Sequence, residues 1–384
     1  MTNHQRRIRV AMVVYNDLVH DARVFKTAST VRDAGYDVHV IGMVAPESKS
    51  IGEWDGIRVS RLDVGARRSL RVRYARFWRA VYRLLLEDAP DVIHPNDLDV
   101  LAPCWLAARK LRVPLIHDAH ELWVELPSLV GRWHIRAIWS LLAYVLIPRC
   151  DVVVTVSDGV AGELRRRYGI DPVVVRNLPT RSGPVEPAPL RNRLAIPEGA
   201  PIVIYQGGLL PGLGIERAVD AMDFLPEAHL VIIGGGPLRN EIARHVEQSA
   251  SRDRVHLLAP VPFAELKPVT TACDIGLYLG SSAGLNLQFA LPNKLFEYIA
   301  AYVPPVITDW PDQAAIVRHY DVGKVVPPDS TPEQIAGAVR EVLANRNHYV
   351  ANCRIAAEEL VWENDAVRLL DAYAKLPMRP GPQS

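Results

Sequence analysis

The sequence predicts an α/β fold with two doubly wound parallel sheets, and three observations support this prediction. Short apolar runs rich in β-branched residues alternate with helical patterns along nearly the whole chain, as in sheets covered by helices on both faces. The runs form two series, separated by a segment rich in proline and small residues, Asn177 to Pro189. The length of 384 residues suits two or three domains. We therefore expect an N-terminal domain over 1–177, a linker over 178–200, a C-terminal domain over 201–345 and a final helical segment and tail over 346–384.

Each strand is predicted from a short apolar run bounded by turn or loop residues. The first series comprises Ile8 to Tyr15, Asp37 to Met43, Ile57 to Arg61, Asp91 to His94, Pro114 to Asp118, Asp151 to Val156 and Val173 to Val175. The second comprises Pro201 to Gln206, His229 to Gly234, Val255 to Leu258, Asp274 to Leu279, Val306 to Thr308 and Gly323 to Val326. In two such domains facing a central cleft, the loops after the strands would hold the ligands.

Composition and charge exclude several functional classes. A hydrophobic content of 49% and a charged content of 23% are typical of soluble globular proteins. The formal net charge of +1 gives no support for a nucleic-acid partner. The four cysteines lack Cys-x-x-Cys spacing, which argues against a zinc site and a disulfide framework. No signal-peptide core follows the N-terminus and no apolar run reaches ~18 residues, so we expect a cytoplasmic protein.

The segment Leu291 to Ala301 carries the strongest indication of chemistry. Asn293 is a favourable N-cap, so a helix is expected to begin at Lys294 and to present its free amides to an anion. Lys294 and Glu297 are three residues apart and share a helix face, where they combine a cation for phosphate with a carboxylate for a sugar diol. The alternative is an ordinary cap with a solvated lysine and a glutamate that complements the helix dipole.

Two glycine-rich loops follow strands of the second series. One is Ile233 to Pro237, and the other is Tyr205 to Gly214. Glycines at such positions let backbone amides approach a phosphate, and they also occur simply because a turn needs left-handed dihedral angles. Neither loop matches the dinucleotide fingerprint or the P-loop, so each remains a candidate for a diphosphate cradle and for an ordinary turn.

Polar residues also follow two strands of the first series. Asp97 and Asp99 resemble a metal-binding pair, but a loop position for Asp97 and a capping role for Asp99 are the favoured interpretation. His117 ends a strand and is expected to point partly into the core. His120 lies farther along the loop, with Asp118 nearby to orient or polarise it, so His120 is the better functional candidate; a structural loop histidine is the alternative.

Two amphipathic or apolar segments have competing interpretations. Seven arginines and no acidic residue occur from Arg67 to Arg83, interleaved with apolar residues at helical spacing. A solvated cationic face is the default, and contact with an anionic membrane surface, such as the inner face of the cell membrane, is the alternative. The apolar run Ile135 to Ile147 is too short to span a bilayer and predicts a buried helix.

Together these residues resemble the GT-B glycosyltransferases related to glycosyltransferase family 4 (group 1), over nearly the whole chain. The most specific landmark is Pro292 to Tyr298. The others, in order, are Asp21 to Val24, Gly35 to Val38, Asp118 to Glu121, Val154 to Ser157 and Ile233 to Pro237.

The resemblance implies a hexosyltransferase of carbohydrate biosynthesis that uses a nucleotide-diphosphate sugar, with a UDP-sugar favoured, and retains the anomeric configuration. The acceptor would be a hydroxyl of a glycan, a lipid-linked compound or a small metabolite, and neither a bound metal nor a cofactor is expected. The final helix, with Trp362 to Asn364, would return toward the first domain. The implied catalytic residues are His120, Asp118 and Lys294; the donor-binding residues are Glu297, Asn293, Gly207, Gly208, Gly235, Gly236, Leu285, Asn286 and Val261; and the acceptor-side residues are Asn16, Asp17, Asn96 and Asp97.

The chain departs from the family pattern in three ways, of which the first two concern donor binding and the third concerns the end of the signature helix. Gly208 and Leu213 occupy positions where many relatives carry cations for the diphosphate, and Phe289 replaces an acidic residue. Tyr302 replaces the glycine that usually follows the signature helix. Two other functions are kept as alternatives. A nucleotide-sugar epimerase of the GT-B fold would bind a similar donor, and a non-catalytic glycosyltransferase-like partner subunit would explain the missing cations at Gly208 and Leu213.

Overall fold

The computed structural model describes residues 6–19, 21–44, 53–65, 68–281 and 284–378. The chain forms two compact units, one from Met1–Asn177 with Asp365–Ser384 and the other from Leu178–Asn364. Each unit contains parallel strands connected by helices. The predicted α/β architecture with two doubly wound units is therefore confirmed.

The first unit is built on parallel strands connected by helices. Its elements are β1 (Arg9–Val13), α1 (Ala22–Asp33), β2 (Asp37–Met43), β3 (Glu53–Trp54), β4 (Ile57–Leu62), α2 (Leu70–Asp88), β5 (Val92–Pro95), α3 (Leu101–Leu111), β6 (Ile116–Ala119), α4 (Trp133–Leu146), β7 (Val152–Thr155), α5 (Asp158–Tyr168) and β8 (Val173–Val174). One sheet has the order β3-β4-β2-β1-β5, and β6-β7-β8 form a second sheet. Single bridges from Ile93 to Leu115 and from Asn96 to Asp118 join β5 to β6. The loops that follow β5 and β6 are therefore neighbours.

The second unit contains one six-stranded sheet. Its elements are α6 (Leu190–Arg193), β9 (Ile202–Gln206), α7 (Ile215–Ala221), β10 (His229–Ile233), α8 (Arg239–Gln248), β11 (Val255–Leu258), α9 (Phe263–Thr271), β12 (Ile275–Tyr278), α10 (Leu285–Gln288), α11 (Asn293–Ala300), β13 (Pro305–Thr308), α12 (Pro311–Tyr320), β14 (Lys324–Val326), α13 (Pro332–Ala344) and α14 (Arg346–Glu359). The strand order is β11-β10-β9-β12-β13-β14, and every pairing is parallel. The ends of β9 and β10 lie side by side, which places the two glycine loops together.

All strands predicted from apolar runs are present, and the described residues form one further strand. The additional strand β3 pairs antiparallel with β4. Asp55 and Gly56 form its turn, and both have positive φ angles, as a tight hairpin requires. The two-residue strand is too short to show apolar alternation, so only the Asp-Gly pair indicated it.

The predicted linker and C-terminal segment differ from the structure. The sequence assigns 178–200 to a linker, but Leu178 and Leu190 are buried in cores of the second unit. The sequence also places all of 346–384 against the first domain, whereas Cys353 on α14 packs in the core of the second unit. A further helix, α15 (Trp362–Ala374), carries the chain into the first unit. There the hydroxyl of Tyr373 lies 2.7 Å from Nδ1 of His94.

Helix α4 is not the buried helix that the sequence predicts. Only Ala143 and Leu146 on it are buried, while Trp133 and Tyr144 are 78% and 67% exposed. The prediction failed because α4 is apolar around most of its circumference, and periodicity then does not show which face packs.

Helix α2 has the predicted amphipathic character. Phe77, Val81 and Leu85 are its buried residues, and Leu70 at its start is exposed. Arg67, the first of the seven arginines, lies outside the described residues. In the part of the chain that the structure describes, no helix is long and apolar enough to cross a bilayer.

Candidate active site

The start of α11 differs from the expected N-cap. The helix begins at Asn293, and the residue before it, Pro292, takes the capping position without a side-chain hydrogen bond. The amide of Leu295 donates to the Pro292 carbonyl at 3.0 Å. Asn293 therefore has a helical backbone and cannot act as the cap, because a capping residue needs non-helical dihedral angles.

Lys294 is buried rather than solvated, with an exposed fraction of 9%. Its ammonium donates to the hydroxyl of Tyr205 at 3.0 Å. It also lies 4.1 Å from the centroid of the Tyr205 ring and 5.0 Å from that of Tyr278. Burial lowers the pKa of Lys294 to about 7, and the Glu297 carboxylate only partly offsets this effect. Lys294 is therefore a cation held between two aromatic rings, with a charge that is sensitive to its surroundings.

Glycine at position 207 leaves room for this lysine. A Cβ atom added at Gly207 would lie 3.1 Å from Nζ of Lys294, and the φ angle of 120° is itself unfavourable for other residues. The hydroxyl of Tyr205 donates to the Gly208 carbonyl at 2.9 Å. Lys294, Tyr205 and the first glycine loop therefore form one connected group.

Glu297 lies on the same helix and is held by two polar residues. Nε2 of Gln206 donates to Oε2 of Glu297 at 2.6 Å. The hydroxyl of Thr270 in turn donates to Oε1 of Gln206 at 2.7 Å. Because Gln206 is 1% exposed and Thr270 is also 1% exposed, this chain of hydrogen bonds fixes the carboxylate from inside the protein.

The two glycine loops contact each other through their backbones. The amide of Leu209 donates to the Gly235 carbonyl at 2.8 Å. A Cβ atom at Gly234 would lie 1.9 Å from the Gly207 carbonyl oxygen, and one at Gly236 would lie 2.5 Å from that of Leu209. Close backbone packing thus explains part of the glycine pattern without a ligand.

One expectation for these loops was wrong. The amide of Gly207 donates to the Ile233 carbonyl at 2.9 Å, so it is not available to a phosphate. The amides of Gly208, Gly235 and Gly236 have no hydrogen-bond acceptor among the described residues. The cradle for an anion is therefore reduced to these three amides.

The remaining donor-side candidates come from α10 and from the loop after β11. Leu285 and Asn286 are on α10, which precedes α11, and Asn286 is buried. Val261 packs beside the hydrophobic cluster that contains Ile233 and Tyr298.

In the first unit, Asp118 and His120 belong to a buried ionic network. Arg23 donates to both oxygens of Asp118, at 3.0 Å from Nε and 2.8 Å from Nη2. It also donates from Nη1 to the Val175 carbonyl at 2.9 Å. Arg23 holds the pKa of the Asp118 carboxyl well below its usual range, against the opposing effect of burial. Asp118 is therefore a permanent carboxylate whose main partner is Arg23.

His120 lies between two carboxylates. Its Nε2 is 3.3 Å from Oδ2 of Asp118, and its Nδ1 is 3.4 Å from Oδ2 of Asp97. Nε2 is not aligned for a hydrogen bond to Asp118 and has no such bond to any described residue, so the contact is ionic. Burial would lower the pKa of His120, but Asp97 and Asp118 outweigh it and raise the pKa to about 9. His120 is therefore an imidazolium at neutral pH.

Asp97 also supports the backbone of this loop. Its Oδ1 accepts a hydrogen bond from the His120 amide at 2.9 Å, and its φ angle of 66° is rare for a residue other than glycine.

Asp99 does not cap a helix, contrary to expectation. It lies within the short 3-10 helix Leu98–Val100, and its carboxylate accepts a hydrogen bond from the hydroxyl of Tyr74 at 3.3 Å. In the described residues, no group of three or more His, Cys, Asp or Glu could hold a metal ion.

The other acceptor-side candidates order their own loops. Asn16 donates from Nδ2 to Asp21 at 2.6 Å and accepts from the Leu18 amide at 2.9 Å. Asp17 accepts from the Val19 amide at 3.2 Å. Asn96 is fully buried; its Nδ2 donates to the Val13 carbonyl at 3.2 Å, and its Oδ1 lacks a partner among the described residues.

His117 behaves as a core residue. It is 1% exposed, and burial lowers its pKa to about 4. It lines a small internal cavity together with Trp123 and Tyr168. The expectation that this side chain points into the core therefore holds.

Several residues that organise these sites are not predicted from the sequence. Tyr205 and Gln206 open the first glycine loop, where the glycines drew attention, and Arg23 lies within the landmark Asp21 to Val24. Thr270 and Tyr278 come from elements distant in sequence, α9 and β12. No local pattern indicates that those two residues approach α11.

Comparison with known proteins identifies the family. The model of Glycosyltransferase Family 4 matches residues 22–179, and that of Glycosyl transferases group 1 matches residues 188–379. A D-inositol 3-phosphate glycosyltransferase of Xylanimonas cellulosilytica is 27% identical over 323 residues, which span 75% of this chain and 73% of the relative.

Solved structures share the fold. Sucrose-phosphate synthase of Thermosynechococcus elongatus has a TM-score of 0.81 at 19% identity and covers 96% of this chain and 99% of its own. HepE of Anabaena, solved in complex with UDP-glucose, has a TM-score of 0.78 at 15% identity, with coverage of 96% and 100%. The fold is thus that of the GT-B glycosyltransferases, and the chain belongs to the glycosyltransferases of the family 4, group 1 type.

Proposed function

We propose that this enzyme transfers a sugar from a nucleoside diphosphate, with a UDP-sugar favoured, to a hydroxyl group of an acceptor, with retention at the anomeric carbon. The acceptor classes are a glycan, a lipid-linked compound and a small metabolite. The transfer needs no bound metal ion, and it takes place in the cytoplasm.

The observation that carries the proposal is the buried ammonium of Lys294 beside Gly207. An isolated buried cation is costly, and a protein keeps one where an anion will pair with it. The three available amides of Gly208, Gly235 and Gly236 belong to the same pair of loops. A diphosphate offers several oxygens to the ammonium and to such amides, and this makes it the ligand that fits the group.

Glu297 supplies the second recognition element. It lies three residues after Lys294 on α11, and Gln206 holds its carboxylate at 2.6 Å. A carboxylate is an acceptor and can take hydrogen bonds from both hydroxyls of a ribose. Together, Lys294 and Glu297 would bind the diphosphate and the ribose hydroxyls of one nucleotide, whereas a site for phosphate alone would need only the cation.

In the first unit, His120 can act as a donor of hydrogen bonds. Because its pKa is raised to about 9, the imidazolium cannot serve as the general base at neutral pH. In the proposed reaction the bond from the anomeric carbon to the diphosphate breaks while the acceptor oxygen bonds to the same face of that carbon. The acceptor proton passes to an oxygen of the leaving diphosphate. Lys294 and the loop amides stabilise the charge that develops there.

The complex of HepE with UDP-glucose supports a UDP-sugar as the donor. The name of the relative from Xylanimonas cellulosilytica supports an acceptor that carries several hydroxyls. The bound UDP-glucose is a property of HepE, and the inositol phosphate is a property of the relative from Xylanimonas cellulosilytica. The group of residues around Lys294 is compatible with a UDP-sugar donor.

The decisive test compares Lys294→Ala and Glu297→Ala with Lys324→Ala. Lys324 is a lysine of the same unit that pairs with Glu341 near the surface, so its removal controls for loss of a positive charge. We expect UDP binding by calorimetry to be lost in the first variant and weakened at least about tenfold in the second, with the control unchanged. Undiminished binding in both site variants would refute the donor site.

Analysis of the products separates glycosyl transfer from the epimerase alternative. We expect wild-type enzyme to consume a UDP-sugar only with an acceptor, to give the same anomeric configuration in the product by NMR, and to keep its rate in EDTA. Conversion of the sugar to its epimer without an acceptor would support the epimerase instead.

A further inference from the structure

Helix α4 carries an exposed apolar face that its own unit leaves uncovered. Trp133, Leu141 and Tyr144 are 78%, 64% and 67% exposed, and Ile138 is 58% exposed. Ile138, Leu141 and Tyr144 are successively three residues apart, and Trp133 lies eight residues before Leu141 and eleven before Tyr144, which puts these side chains on one side of the helix. Val130, just before the helix, is 77% exposed. In the part of the chain that the structure describes, five of the fourteen exposed large hydrophobic residues thus lie within fifteen consecutive positions, which marks an interaction surface rather than scattered exposure.

The charges around this face are positive. Residues 126–150 contain no aspartate or glutamate, and neither do residues 64–86. Arg132 precedes α4 and Arg149 follows it, and both side chains are exposed. In the described residues neither forms an ion pair. An apolar strip with an arginine near each end matches a lipid surface, because long cationic side chains reach the headgroups while the strip enters the acyl region.

Helix α2 extends the positive surface. It packs beside α4, since the ring of Trp139 lies 5.8 Å from that of Tyr74 and 6.5 Å from that of Trp78. Its outward arginines are Arg71, Arg76, Arg79 and Arg83; all four are exposed and none has an ion-pair partner in the part of the chain that the structure describes. Unpaired arginines beside an apolar strip favour an anionic partner over a neutral one.

The types of residue on this face specify the partner further. Trp133 is the first residue of α4 and Tyr144 is near its end, with Leu141 and Ile138 between them. Tryptophan and tyrosine prefer the boundary between headgroups and hydrocarbon, and aliphatic residues prefer the hydrocarbon. The 14 residues of α4 are too few to span a bilayer, so the helix would lie in the plane of the membrane surface.

We propose that the exposed face of α4, with the arginines of α2, docks the enzyme on the surface of an anionic lipid bilayer. The docking surface is separate from Lys294 and Glu297, so it stands independently of the proposed reaction. It would concentrate the enzyme where a lipid-linked acceptor is present.

Co-sedimentation of the full chain with lipid vesicles tests the docking. The vesicles contain phosphatidylglycerol and phosphatidylcholine in equal parts, and a parallel series contains phosphatidylcholine alone. We expect wild-type protein to sediment with the anionic vesicles and at least about tenfold less with the neutral ones. Trp133→Ser with Leu141→Ser should reduce the partition coefficient by at least about tenfold, because it removes an aromatic anchor and an aliphatic contact.

Two further variants complete the test. Ile355→Ser with Val367→Ser removes residues that are 61% and 57% exposed on other helices, and it should sediment like wild type. Arg76→Gln with Arg79→Gln should weaken binding to anionic vesicles about fivefold for each arginine. Unchanged UDP binding in every variant shows that the second unit is intact, and an unchanged thermal unfolding midpoint shows the same for the first.

Three outcomes would overturn the proposal. Wild-type protein that stays in the supernatant with anionic vesicles would show that no lipid docks here. Equal sedimentation of wild type and the Trp133→Ser, Leu141→Ser variant would place lipid binding elsewhere. A lipid-free dimer in sedimentation velocity that this variant dissociates would show that a second copy covers the face.

Discussion

Lys294→Met should stabilise the protein without ligand, in a manner that depends on pH. The ammonium is buried against Tyr205 and Tyr278, and burial lowers the pKa of Lys294 from 10.5 to about 7. Methionine has a similar length and no charge, so the substitution removes the cost of burying the cation and keeps most of the packing.

The size of the effect follows from the two pKa values. The fall from 10.5 to about 7 corresponds to about 5 kcal/mol of unfavourable free energy for the charged lysine in the folded state. Attraction of the ammonium to the two rings contributes of order 1–2 kcal/mol in the opposite direction, so about 5 kcal/mol is an upper limit. We expect the variant to gain about 2–5 kcal/mol in free energy of unfolding near pH 6.

The stability difference between Lys294→Met and wild-type protein changes with pH. Below pH 7 the lysine is charged in both folded and unfolded states, and the full cost is present. Between pH 7 and 10.5 the unfolded state binds more protons, so this contribution makes wild-type protein more stable as the pH rises. Above 10.5 the lysine is neutral in both states and the difference between variant and wild type disappears. Urea unfolding of both proteins at about pH 6, 8 and 9.5 measures this convergence.

We also expect Lys294 to take up a proton when the donor binds. At about pH 8 a group with a pKa of about 7 is mostly neutral, and pairing with a diphosphate should restore its charge with uptake of about 0.9 proton. At about pH 6 the uptake should fall to about 0.1 proton by the same reasoning. Calorimetric titration with a UDP-sugar in two buffers of different ionisation enthalpy measures it, since that diphosphate does not itself titrate near neutrality. Lys324→Met is the control. Heats independent of the buffer, together with parallel stability curves for wild type and Lys294→Met, would refute this account of the site.

Gln206→Leu should raise the KM for the donor about tenfold with a smaller effect on kcat, because it removes the hydrogen bond that holds the Glu297 carboxylate. Steady-state kinetics measures KM and kcat separately, and an unchanged KM would show that Gln206 does not position Glu297 for the donor. Arg23→Met should lower the free energy of unfolding by about 3–5 kcal/mol, because it leaves the Asp118 carboxylate buried without its main partner. Urea unfolding measures the change, and a loss below about 1 kcal/mol would contradict this role of Arg23. His120→Gln should remove a stabilising contribution of about 3 kcal/mol that is present below pH 6.5 and lost as the pH rises through about 9, because the folded-state pKa is raised. Urea unfolding across this pH range compares the two proteins, and identical curves would show that His120 is not charged in the folded state.

Several predictions from sequence succeeded because they depend on short-range patterns. The apolar runs that form β9 and β10 are buried along their whole or nearly whole length, and a run of that kind is recognisable without its neighbours. The spacing of Lys294 and Glu297 on α11 is likewise local. In contrast, the burial of Lys294 depends on Tyr278 from β12, and no spacing within α11 reveals it.

The failures have the same physical origin. Asn293 has the residue type of an N-cap, but the backbone at Pro292 already has the extended conformation that a cap requires, so the helix starts one residue early. Residues 178–200 have the composition of a linker, yet Leu190 and Ile196 are buried against β9 and β10. In both cases tertiary packing decided between conformations that the local sequence allows.

Gly208 and Leu213, where the resemblance led us to expect cations, differ in what the fold permits. Leu213 is partly buried and packs beside two hydrophobic clusters of the second unit, so a cation there would lose part of its hydration and disturb both clusters. Gly208 has an ordinary φ angle, and an added Cβ would meet only Leu210 at 3.4 Å. A side chain at 208 is therefore sterically acceptable, and its absence leaves Lys294 without a neighbouring cation that would lower its pKa further. A single lysine with a pKa near 7 can then be neutral in the empty site and charged when the diphosphate binds, which links donor binding to proton uptake through one residue.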